Sequence, residues 1–271
     1  MTFTARGPWS CLAASLLAAT GAGAADVVAS PMVAEAWQTL SIGYYSDASD
    51  QFSASGNSRE AQLGLAIAQL NRPPVTPSSL AEAQRRFTAL TGTDDTLGHA
   101  ARYFLGRSQQ ISPFTPDRAA AAREYEHLVA SGADDAWCRL ALIKLAILRL
   151  SVLPAPGPLA TQLAAVEPLL ARTADPATQR ELHLVIAETR LTHKIYDVTT
   201  LHHLQAALAT TREADTMRSD LLVQIARLAS KLGDWPTART HYEKFLHDYP
   251  QDRRYYTVNE ALTHLGEPFP P

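Results

Sequence analysis

From Ser219 to Asp252 the chain sets two apolar helical stripes around one Gly-Asp turn and stops at a proline. The first stripe is Leu222, Ile225, Ala226 and Ala229, an i, i+3, i+4, i+7 pattern that lies on one helix face. Gly233-Asp234 breaks it, because glycine takes the left-handed conformation that ends a helix at little steric cost. Ala238, Tyr242 and Phe245 make the second stripe. Pro250 closes the unit, since its nitrogen cannot donate the next backbone hydrogen bond. The small side chains of Ala226 and Ala238 let the two helices cross closely, and Tyr242 fills the wedge between them. Such a hairpin buries its apolar faces only by stacking on others like it, so the rest of the chain must supply them.

It does so with decreasing fidelity. Gly43, Tyr45, Ala48 and Phe52 repeat the spacing of Gly233, Trp235, Ala238 and Tyr242. Leu63-Gly64 is followed by Ala83 and Phe87, and Leu105-Gly106 by Ala121 and Tyr125, across longer breaks rich in proline and serine. Trp137, Leu140 and Ala141 open a fourth unit whose partner helix, Leu159 to Arg172, lies beyond LPAPGP. Ile186-Ala187 opens a fifth, with Leu204 and Leu208 on its return helix. Period-2 alternation is nearly absent, and helix starts are marked at Ser78-Ser79, Pro116-Asp117 and Asp175-Pro176. The 46% hydrophobic content suffices for a large core, and with aromatics at 7% and abundant alanine it favours packed helices.

These positions resemble the tetratricopeptide repeat: a large residue, a Leu-Gly or Leu-Ala pair, a turn glycine, an alanine, an aromatic four later and a final proline, in 34 residues, the length of Ser219 to Asp252. The resemblance runs from Pro31 to Gly266. It implies an all-α, right-handed α-solenoid of about six helix-turn-helix repeats with a C-terminal capping helix, Arg253 to Leu265. It also implies that Trp235, Ala238 and Tyr242 are packing residues, and that the first helices line a concave groove for a peptide or protein segment. By the family's register, Tyr103, Arg107 and Gln110 (with Ala100 and Ile111) face that groove in the third unit. In the last unit Asp220, Arg227 and Lys231 face it, with Val223 and Ser230. The family's clamp for a chain-terminal carboxylate needs lysine and asparagine where this chain has Tyr103/Arg107 and Val223/Arg227, so that mode is not implied.

Motifs for chemistry are missing. The nine histidines include no His-Glu-x-x-His, and adjacent helical residues such as His202 and His203 point about 100° apart, so no metal ligand set is assigned. His241 and His247 read as surface imidazoles. No nucleophile elbow, phosphate loop or dinucleotide fingerprint occurs, and Gly21-Ala22-Gly23-Ala24 belongs to the N-terminal leader pattern. Asp94-Asp95 and Asp134-Asp135 read as helix-start acids. No catalytic residue and no cofactor is assigned.

The N-terminal residues carry Arg6, an apolar run from Leu12 to Ala19 and Ala22-Gly23-Ala24, the pattern of a cleaved signal peptide. The expectation is residues 1–24 as signal and 25–271 as one repeat domain, periplasmic or secreted, with no integral membrane segment after cleavage. Cleavage would leave Cys138 as the one cysteine, read as a small helix residue, so no internal disulfide forms. A net charge of −3 without a basic patch argues against nucleic acid. The expected function is a non-catalytic scaffold for a protein or peptide, with cell-envelope assembly as its setting. Two alternatives stay open: an enzyme on a helical-repeat frame, such as a glycan-acting one, and a homo-oligomer joined through PFPP and the Trp37 region.

Overall fold

The computed structural model describes residues 31–153, 157–212 and 215–266. The expected signal segment, Cys11 and the PFPP end lie outside them. The described residues form thirteen α-helices and no strand: α1 (Pro31–Ser41), α2 (Tyr45–Ala54), α3 (Arg59–Asn71), α4 (Pro77–Leu90), α5 (Thr96–Gln110), α6 (Arg118–Ser131), α7 (Ala136–Ile147), α8 (Leu159–Val166), α9 (Pro176–Thr192), α10 (Val198–Ala209), α11 (Thr216–Lys231), α12 (Trp235–Asp248) and α13 (Tyr255–Thr263). A π-helical turn, Leu148–Val152, follows α7, and a 3-10 segment, Glu167–Arg172, follows α8. The odd-numbered helices up to α11 are first helices of pairs, each even-numbered helix is its return, and α13 stands alone at the end. No described helix is long and apolar enough to cross a membrane.

The chain divides into two compact units, Met1–Leu145 and Ala146–Pro271. In the first, every helix from α1 to α5 packs on the next, and α1 with α3 and α3 with α5 touch as successive first helices. The core is an aromatic ladder. Trp37 meets Phe52 edge-on at 5.0 Å, Phe87 stacks on Phe104 at 5.8 Å, and Phe104 packs on Trp137 at 5.3 Å. Ala48, Phe52, Ala83, Phe87, Ala121 and Tyr125 are all fully buried, as the repeat spacing requires. Gly64 is needed because an added Cβ would lie 2.2 Å from the Phe52 ring.

The second unit joins α9, α10, α11 and α12 through Leu184, Ala187, Leu204, Leu221, Ile225 and Ala238. Leu222, Ala226, Tyr242 and Phe245 then pack on Val258 of α13, which covers the last pair. Gly233 takes φ +77° between α11 and α12, the left-handed conformation its turn demands.

Caps fix the entries. Asp117 and Asp175 accept backbone hydrogen bonds from Ala120 and Thr178, both at 2.8 Å, with Pro176 in the first helical position. The Ser78-Ser79 start is corrected: α4 begins earlier, because Thr76 and Ser79 form a reciprocal capping box with Pro77 just inside. Trp235 is also corrected. It opens α12 and is 42% exposed, while Ala238 and Tyr242 are buried. A residue at the first turn projects before the face that packs.

Candidate functional site

The six groove positions fall in two places. Tyr103, Arg107 and Gln110 lie on α5 in the first unit; Asp220, Arg227 and Lys231 lie on α11 in the second. Tyr103 is not a surface residue. It is 4% exposed, because its ring fits between Phe104, Tyr125 and Trp137 at 5.5 to 5.8 Å, and burial pushes its hydroxyl pKa up. Ala100 and Val223 are likewise buried. Arg107 is half-buried, and Gln110 accepts a hydrogen bond from the Tyr125 hydroxyl at 3.0 Å. Arg227 is exposed. Lys231 is exposed and sits over the Tyr196 ring, 3.3 Å from its centroid, a cation–π contact that holds it at the helix end.

Asp220 lines a cleft. Its walls are Leu184 and Glu188 of α9 and Thr216, Met217, Asp220, Leu221 and Gln224 of α11, enclosing about 370 Å³. The helices are first helices of successive pairs, and of the five register positions on α11 Asp220 alone lines the cleft. Leu184 and Leu221 form a buried apolar floor, and Glu188 and Asp220 stand exposed above it. Arg254 grips Asp220 at 2.6 Å and also bonds Ser219 at 2.9 Å and Asp252 at 2.7 Å, so the N-terminal end of α11 is pinned from the start of α13. The cleft residues on α9 escaped the sequence reading, since that helix keeps the repeat signature only at Ile186-Ala187.

A second arrangement recurs at the first-helix N-termini of the first unit. Arg59 at the start of α3 bonds Asp95, the N-cap of α5, at 2.7 Å, and the guanidinium holds that carboxyl well below the usual carboxylate range. His99 on α5 repeats the link one unit later. Its Nδ1 is 2.5 Å from Asp135 and its Nε2 is 2.7 Å from Asp94. Each link to the next cap spans 36 residues. Burial opposes charge on His99, but hydrogen bonds to Asp135 and Asp94 outweigh it and raise its pKa. Asp135 Oδ1 meanwhile accepts from the Trp137 and Cys138 backbone N–H groups, both at 2.9 Å, which makes it the helix-start acid expected of it. Asp95 does the same for Gly98 at 2.8 Å.

Two histidines also meet across a hairpin, a contact that their spacing along the chain does not reveal. His183 and His203 face each other across α9 and α10 with their Nδ1 atoms 2.8 Å apart, and the His202 ring lies 6.2 Å from that of His183. One Nδ1–H donates to the other ring's bare Nδ1. Residues twenty apart meet here because they stand on the two legs of one hairpin. Burial, then His183, His202 and Arg190, lower the His203 pKa to about 4 against a small opposing effect of Asp197.

No family model and no curated protein matches this chain. Among solved structures it is similar to a chain of "Crystal structure of APC/C hetero-tetramer Cut9-Hcn1", with a TM-score of 0.40 and 16% identity over 87% of this chain and 42% of that one. The chain thus spans less than half of that protein's length. The fold described above rests on the helix pairing itself.

Proposed function

We propose that this chain is an exported, non-catalytic scaffold that holds a segment of another protein in the cleft between α9 and α11. The cleft carries the reading. A floor of Leu184, Met217 and Leu221 beneath the exposed carboxylate of Glu188 suits the apolar stem and charged end of a lysine or arginine in an extended segment. The lining offers no histidine, cysteine or serine to act with the carboxylates of Glu188 and Asp220, and Asp220 is already ion-paired with Arg254. Export rests on Arg6, the Leu12–Ala19 run and Ala22-Gly23-Ala24, with the periplasm or the exterior as the compartment and envelope assembly as the setting.

The test is selection of unstructured peptides from a random library on the chain recovered from the exported fraction, with its N-terminus read by sequencing. The expected N-terminus is Ala25. The expected peptides carry lysine or arginine beside apolar residues, and bind Glu188→Lys about tenfold more weakly at low salt. A chain retained in the cytoplasm with its first residues intact would overturn export. Selected peptides that bind Glu188→Lys equally well would overturn the cleft.

A further inference from the structure

The two links at the first-helix N-termini look alike, yet the residue three positions after each cap differs. Three positions after Asp95 stands Gly98; three positions after Asp135 stands Cys138. The Arg59 link is a cation between a helix and a cap, with the Thr93 hydroxyl on Asp95 at 3.1 Å and no thiol beside it. The His99 link has a thiol beside it, and the ligand atoms of His99, Asp135 and Cys138 all lie within 4.8 Å of one another.

We propose that His99, Asp135 and Cys138 bind a single divalent ion of the zinc class, tying α5 to α7. Zinc bonds of 2.0–2.3 Å at tetrahedral angles set donor atoms about 3.3 to 3.6 Å apart. The cluster reaches that geometry by small side-chain adjustments, the Nδ1–Oδ2 contact opening from its 2.5 Å by less than about 1 Å. The supporting contacts a metal site needs are already in place. The second nitrogen of His99 faces Asp94 at 2.7 Å, which fixes the ring with Nδ1 toward the ion. Asp135 keeps Oδ1 on the Trp137 and Cys138 amides and leaves Oδ2 for the ion. Its side chain retains 22% exposure, so the cluster lies at the edge of the core, and a water is the expected fourth ligand. One nitrogen, one sulfur and one oxygen select zinc-class ions over magnesium and calcium, which take oxygen ligands.

The thiol explains why the sulfur is innocent without the ion. Cys138 is 2% exposed, and burial together with the Asp135 carboxylate pushes it up to about 12. A bound dication reverses that balance: the Cys138 S–H and the His99 Nδ1–H protons leave to solvent as the sulfur–metal and nitrogen–metal bonds form. No electron moves, and the ion keeps its charge.

The full chain carrying Cys11→Ser, stripped by chelator and kept reduced, is titrated with Co²⁺. The expected result is a thiolate-to-cobalt charge-transfer band that saturates at one ion per chain and disappears on adding Zn²⁺. Cys138→Ala should lose the band. His99→Arg is the discriminating variant, since it rebuilds the Arg59-type link and keeps the unit folded but removes the nitrogen ligand. It should keep its melting temperature in the absence of metal and weaken cobalt binding at least tenfold. Absence of a thiolate band in the parent chain would overturn the site. An undiminished band in folded His99→Arg would overturn the ligand set. Neither result bears on the α9–α11 cleft.

Discussion

At the scale of single residues, the structure turns on where small and large side chains meet. Gly64 faces the ring of Phe52 from the preceding hairpin, at a distance where no Cβ fits. Gly64→Ala should therefore destabilise the first unit by about 1 to 3 kcal/mol, as overpacking of a filled core does. Thermal unfolding checks this, and Phe52→Leu in the same chain should recover part of the loss by vacating the space. The Leu63-Gly64 pair, Ala83 and Phe87 were legible because the repeat signature contains them. Tyr103 was not. Its register position points to a groove, but the ladder of Phe104, Tyr125 and Trp137 closes over it. Those rings come from three helices, and no single hairpin reveals their convergence.

At the scale of elements, the helices follow the apolar stripes, and differences cluster where side chains outside the stripe decide the start. Thr76 wins the cap of α4 because Ser79 returns its hydrogen bond and Pro77 cannot donate one. The partner helix of the fourth pair spans Leu159 to Arg172, as its apolar pattern predicts, though it breaks into α8 and a 3-10 segment around Pro168. The His183–His203 contact was invisible to any count along the chain, since it needs the α9–α10 hairpin to be folded first. It sets a pH dependence. Both histidines have folded pKa values below the ordinary 6.5, His183 by burial and then His202, and His203 near 4. The unfolded chain then binds more protons between about pH 6.5 and 4, so the second unit is fully stable above that window and loses stability as pH falls through it. Hydrogen exchange across α9 and α10 should show protection falling from pH 7 to pH 4.5, once corrected for intrinsic rates. The groups facing the pair are His202, Arg190 and Asp197. His203→Gln should flatten the change; an unchanged slope in that variant would assign it to other groups.

At the scale of the whole molecule, six hairpins and a closing helix were legible because one well-preserved unit set the register for the degraded ones. The division at Leu145/Ala146 was not, although it falls where the repeat signature fades, just before the π-helical turn at Leu148. Trp37 itself packs on Phe52 and donates its Nε1–H to Glu60 at 2.9 Å, while Met32 near the start of the same helix and Ile42 just past its end stay exposed. The proposed function rests on what the first helices of the second unit leave open. In the second unit that is the Leu184–Leu221 floor with Glu188 and Asp220 above it.

In the proposed complex a basic side chain of the partner segment sits against Glu188. A double-mutant cycle tests it, combining Glu188→Lys in the chain with lysine-to-glutamate in a selected peptide and measuring all four affinities at low salt. Each single change should weaken binding, and the pair should restore it, with a coupling of about 1 kcal/mol. Losses that simply add, with no recovery in the doubly changed pair, would contradict it.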